Sequence, residues 1–95
     1  MKTIKISAHT GSFAENKDVA MKIRTESIAP SIEKNEDITI DFENIESVTQ
    51  SFIHALLSQL IRHYGVEVLD SIKFRNCSEP VKKIINMVVD YMQEG

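Results

Sequence analysis

Four hydrogen-bonding side chains, Ser47, Thr49, Gln50 and Ser51, fall within five positions just ahead of a helical apolar stripe. At a helix N-terminus the free backbone N–H groups and the dipole favour anions and phosphoryl groups. Three of the four side chains are hydroxyls, which can cap the helix, accept a phosphate, or do both. A phosphate on Thr49 or Ser51 would add roughly -1.5 to -2 charges at neutral pH beside Glu43 and Glu46, and so repel an acidic partner surface. Capping alone also accounts for these residue types.

Ser51 and His54 are three apart, so on a helix their side chains approach, and a carboxylate such as Asp41 can orient the imidazole. Hydrolysis further requires an oxyanion hole and a substrate cleft. Three glycines in 95 residues supply little of the strained turn geometry that builds them. A non-enzymatic protein is therefore expected, with His54 a helix-face residue. Cys77 follows a strand end, where a helix start can lower a thiol's pKa, but a free cysteine is more often a small buried hydrophobe. His9, His54 and His63 have no second ligand at i, i+4 spacing, and Ala8-His9-Thr10-Gly11-Ser12 has one glycine and no lysine. No metal and no cofactor is expected. Lys82-Lys83 reads as a solvated basic pair.

The elements that must position these residues follow from periodicity. Ile4 and Ile6 alternate with polar neighbours, predicting a strand near residues 2–7 that Gly11 and Ser12 break. Ser12-Phe13-Ala14-Glu15 has the form of a capping box, predicting a helix that buries Val19, Ala20, Ile23 and Ile28 and ends at Pro30. Residues 31–36 read as a loop. Ile38, Ile40 and Phe42 alternate with Asp37, Thr39 and Asp41, the clearest strand in the chain. Phe52, Leu56, Leu57, Leu60, Ile61 and Tyr64 recur at helical spacing from a start near 49–51, and Gly65 stops the helix. Val66 and Val68 form a short strand or cover the core. Ile72 and Phe74 predict a further strand, and Ser78-Glu79-Pro80 opens a last helix with Val81, Ile84, Ile85, Val88 and Met92 inward.

Strand alternating with helix is the grammar of a parallel sheet with right-handed crossovers. Charged residues alternate along these strands, so the helices are expected mostly on one face, leaving the other wetter. The fold class expected is α/β, a three- or four-stranded mainly parallel sheet with about three helices. Residues 1–95 suit a single domain. A formal charge of -3 with scattered basic residues argues against nucleic acid. One cysteine, no secretory apolar segment and no run near the roughly 20 residues that span a bilayer lead to the expectation of a cytoplasmic protein that does not enter the membrane.

The stretch Ile38 to Ile53, an apolar strand, a polar link and then Thr49-Gln50-Ser51-Phe52-Ile53, resembles the signature of STAS domains, the modules shared by anti-sigma-factor antagonists and sulfate transporters. Phe74 to Ile85 is similar to that family's closing strand and helix. Nearer still is the STAS-like family of unknown function, whose members open with a strand, a Gly/Ser-containing loop and a helix and show Ser-Phe at this helix start, here Ser51-Phe52. The resemblance implies a small STAS-like domain acting by protein–protein contact. The implied partner is a histidine-kinase-like ATPase or another protein, since such relatives are often encoded with ATPases of that kind. The antagonists' phosphoserine position is occupied by Gln50, which cannot accept phosphate, and their glycine by Phe52. The expected partner-binding and phosphoacceptor region is thus Ser47, Thr49, Gln50, Ser51 and His54, within the segment 46–57. The alternative is a homodimeric scaffold or subunit that pairs through a sheet edge and has no switch.

Overall fold

The alternation of Ile38, Ile40 and Phe42 with polar residues builds the centre of the sheet. In the computed structural model, which describes residues 2–94, Ile38–Asp41 (β3) lies between Lys2–Lys5 (β1) and Ile72–Arg75 (β5), with both pairings parallel. Met1 and Gly95 lie outside the described residues. The register sets Ile4, Ile40 and Phe74 in one row and Lys5, Asp41 and Arg75 in the next, so apolar and polar rows fall on opposite faces. Phe13–Ala14 (β2) and Ser47–Val48 (β4) form a second, two-stranded parallel ladder that the sequence reading did not anticipate.

The helices cover the apolar face. Ser7–Thr10 (α1) is one turn, followed by Lys17–Ile23 (α2) and Ala29–Glu33 (α3). Gln50–Tyr64 (α4) then packs against both α2 and Glu79–Glu94 (α5). The three expected helices correspond to α2, α4 and α5, while α1 and α3 are additional. Phe52, Ile53, Leu56, Leu57 and Leu60 of α4 are buried against Ile4, Ile38, Ile40 and Ile72 of the sheet and Val81, Ile85 and Val88 of α5. Arg24 Nη1 donates to the Ala55 carbonyl at 2.7 Å, and the Tyr64 hydroxyl donates to the Glu33 carboxylate, so both ends of α4 are tied to the preceding helical layer. Val66–Ser71 is a 3₁₀ segment with Val68 buried, which makes it a core cover rather than a strand. Among the described residues no helix is long and apolar enough to cross a membrane.

Three local expectations are corrected. Ser12 does not cap a helix. Asn16 does, accepting from the Asp18 and Val19 N–H groups, while Phe13 and Ala14 are drawn into the β2–β4 ladder. Pro30 does not end the helical run, and residues 31–33 are not loop. A π turn over Arg24–Ile28 carries the Ala29 N–H back to the Arg24 carbonyl, and this wider turn admits a residue with no N–H and a bulky ring. The stop comes at Asn35, left-handed at φ 59°, with Glu36 N–H bonded to the Ser31 carbonyl and Asn35 N–H to that of Ile32, a Schellman closure made with asparagine instead of glycine. Finally, the polar face is not wet throughout: Thr39 and Asp41 are buried, flanked in register by Lys5, Lys73 and Arg75.

Leu57→Ala should destabilise the fold by about 2–5 kcal/mol in a urea titration, since a buried leucine is truncated without room to relax. Asn16→Ala should cost about 1 kcal/mol and Ser12→Ala a few tenths, and equal losses would restore Ser12 as the cap.

Candidate functional site

The expected site is assembled at the carboxyl end of β3. Asp41 accepts the Glu43 N–H at 2.9 Å, turning the chain, and Asn44 supplies a left-handed residue at φ 66° that asparagine tolerates. The Ile45 N–H closes the turn onto the Phe42 carbonyl at 3.1 Å. Glu46 N–H then reaches the Ser12 carbonyl at 2.8 Å and Thr49 N–H the Ala14 carbonyl at 3.0 Å, so the β2–β4 ladder pins the segment that leads into α4. Thr49 arrives in an extended conformation with its hydroxyl accepting the Phe52 N–H at 3.1 Å, the N-cap of α4.

The five expected residues differ in their engagement, and the structure brings three of them, Gln50, Ser51 and His54, into one cleft. Ser47, Gln50 and Ser51 are exposed, whereas Thr49 and His54 are half-buried. Thr49 is committed to its cap, which leaves Ser51 as the exposed hydroxyl of the first turn. Gln50, Ser51, His54 and Ala55 line a shallow cleft of about 470 Å³ together with Lys17 from the start of α2. The His54 ring lies 6.4 Å from that of Tyr91 near the end of α5. Phe13 is paired with Ser47 in the ladder and therefore shares its exposed side. Phe13, Lys17 and Tyr91 are neighbours that periodicity did not reveal, because each is brought in from a distant segment by tertiary packing.

Asp41 does not orient His54. Its carboxylate is buried, at 2% side-chain exposure, and accepts from Asn76 Nδ2 at 3.0 Å and Arg75 Nη2 at 2.9 Å as well as from Glu43 N–H. The Asn76 hydrogen bond above all, then that of Arg75 and the backbone N–H, hold the carboxyl down to about 2 against the opposing effect of burial. The Cys77 thiol is half-buried, and desolvation pushes its pKa up, the reverse of activation. Among the described residues no group of three or more His, Cys, Asp or Glu is placed to hold a metal ion.

A family model described as the STAS-like domain of unknown function (DUF4325) matches residues 20–82, which run from within α2 to the first turn of α5. The chain belongs to that family. Neither a curated protein nor a solved structure matches it. The matched span of the STAS-like domain contains β3, the Asp41 turn, β4 and all of α4, and hence every expected site residue. Phe13, Lys17 and Tyr91 lie outside it.

The Asp41 carboxyl titrates lower in the folded chain, about 2, than its ordinary 3.8. The stabilisation it gives is therefore fully present above that ordinary value and is lost as pH falls towards the folded one. Asp41→Asn should cost about 1.5–3 kcal/mol near neutral pH, as for hydrogen bonds to a charged group. Urea titrations from pH 6 down to pH 2 should show the gap between wild type and variant narrowing as the carboxyl protonates. A gap independent of pH would mean that the charge contributes nothing.

Proposed function

We propose that this STAS-like domain is a non-enzymatic regulatory module that docks a partner protein on the surface around the start of α4. The observation that carries the reading is the pair of exposed aromatic residues flanking the polar helix start. Phe13 is 55% exposed beside Ser47, and Tyr91 is 63% exposed beside His54. Large aromatics left in water around a patch of hydrogen-bonding side chains have the composition of a protein interface, in which Tyr and Phe supply contact area and polar groups fix the register. A histidine-kinase-like ATPase is the partner class that the family resemblance supports.

Ser51 suits a phosphorylation switch better than Thr49, because its hydroxyl is exposed while that of Thr49 is held by Phe52 N–H. A phosphate there would sit on the dipole of α4 and within reach of Lys17, so the helix would tolerate it while an acidic partner would not. A homodimer built on a sheet edge is the second reading, supported by β1 and β5 forming the two edges of the three-stranded sheet.

Ser51→Glu and Thr49→Glu should weaken partner binding by roughly tenfold or more, about 1.4 kcal/mol, with Lys83→Glu near wild type. Thermal melts of the same variants separate lost affinity from lost folding, since breaking the Thr49 cap alone costs about 1 kcal/mol. Unchanged affinity in folded Ser51→Glu and Thr49→Glu would exclude the α4 surface, and a concentration-dependent mass sensitive to β1 or β5 substitutions would then favour the edge dimer.

A further inference from the structure

On the far side of the Asp41 cluster, the end of β5 and the first two turns of α5 enclose a cleft of about 500 Å³ that the partner-docking surface does not use. Its lining combines apolar Phe74 and Ile85 with Arg75, Lys82 and Asn86. Ile85 is buried, and Phe74 is half-buried with its ring stacked 6.4 Å from that of Phe42, so the apolar part is continuous with the core and fixed in place. The size and the mixture, an apolar wall with a few convergent polar groups, are those of small-molecule sites. The cleft lies just beyond the carboxyl end of β5, an edge strand of the parallel sheet.

Two cationic side chains, Arg75 and Lys82, line the cleft. Arg75 is 55% exposed along its side chain, yet its Nη2 is tethered to the buried Asp41 carboxylate, which restricts the guanidinium and leaves its other donors for solvent or a ligand. A guanidinium oriented in advance loses less entropy when it binds. Lys82, one turn into α5, is 57% exposed, and its ion pair with the solvent-facing Glu79 is a loose 3.7 Å contact, of a kind worth little in water and easily exchanged for a bound anion. Cys77 joins the lining as a neutral thiol, its pKa raised by burial.

We propose that the cleft between the end of β5 and the first turns of α5 binds a small organic anion, its carboxylate or phosphate held by Arg75 and Lys82 and its apolar body lying on Phe74 and Ile85. The site is independent of the α4 surface and stands whether or not that surface docks a protein.

Amide-resolved NMR titration of the full chain tests this with four probes: phenylacetate and phenyl phosphate, which carry both anion and apolar body, inorganic phosphate, which lacks the body, and benzyl alcohol, which lacks the charge. The first two, or one of them, should bind with Kd on the order of 1 mM or below, shifting the amides of residues 74–77 and 82–86, and at least tenfold more tightly than either control. The arm that binds better identifies the oxyanion. Lys82→Glu should abolish the shifts while leaving the rest of the spectrum in place, and Lys83→Glu, one residue away on the same helix, should not. Shifts confined to other residues, equal affinity for benzyl alcohol or inorganic phosphate, undiminished binding to Lys82→Glu, or no shift with any probe would each overturn the proposal.

Discussion

One buried carboxylate organises the working end of this domain. Asp41 ends the central strand, and its three hydrogen bonds go to two pieces of chain: forward to Glu43 N–H, and across to the side chains of Arg75 and Asn76 at the end of the neighbouring strand. The first fixes the turn that feeds β4 and the N-cap of α4. The other two hold the end of β5 against β3 and orient the arginine at the mouth of the second cleft. A charge placed at 2% exposure is strongly unfavourable without partners, and two of the three it gathers, Arg75 and Asn76, also line the second cleft.

The remainder of the fold makes that arrangement rigid. Apolar rows on one face of the sheet are buried beneath α2, α4 and α5, and the carbonyl of Ala55, in the second turn of α4, is anchored by Arg24 from the π turn. The irregularities cluster where positions must be met: the π turn that accommodates Pro30, the left-handed Asn35, Asn44 and Asn76, and the two-residue ladder that joins β2 to β4. Asparagine does the work of glycine at these three positions, which limits unfolded-chain entropy while its short polar side chain tolerates the conformation.

What the sequence made legible was whatever a long period could carry. β3 announced itself by strict alternation, α4 by its six-residue apolar stripe and terminal Gly65, and α5 by Ser78 with Pro80. The STAS-like resemblance, resting on residues 38–53 and 74–85, agrees with the family match over 20–82. Shorter features were lost to competing signals. Ser12-Phe13-Ala14-Glu15 reads as a cap until Phe13 and Ala14 find β4, a pairing only two residues long and invisible to any period. Pro30 reads as a stop because a π turn leaves no trace in composition. Asp41 reads as an alternating strand residue and a carboxylate within reach of His54, since nothing local to it reveals that Arg75 and Asn76, more than thirty positions later, bind it instead. The docking surface was half legible: its helix start could be read, whereas Phe13, Lys17 and Tyr91 gather around it only in three dimensions.

If Asp41 positions the start of α4 through the turn and ladder between them, hydrogen exchange resolved amide by amide will show it. In Asp41→Asn, the N–H groups of Glu43, Glu46, Thr49 and Phe52 should exchange markedly faster, while those of Leu57 to Ile61, in the middle of α4, keep the protection set by global unfolding. Unchanged protection at all four amides in a variant destabilised overall would contradict the account, because the start of α4 would then hold its place without the carboxylate.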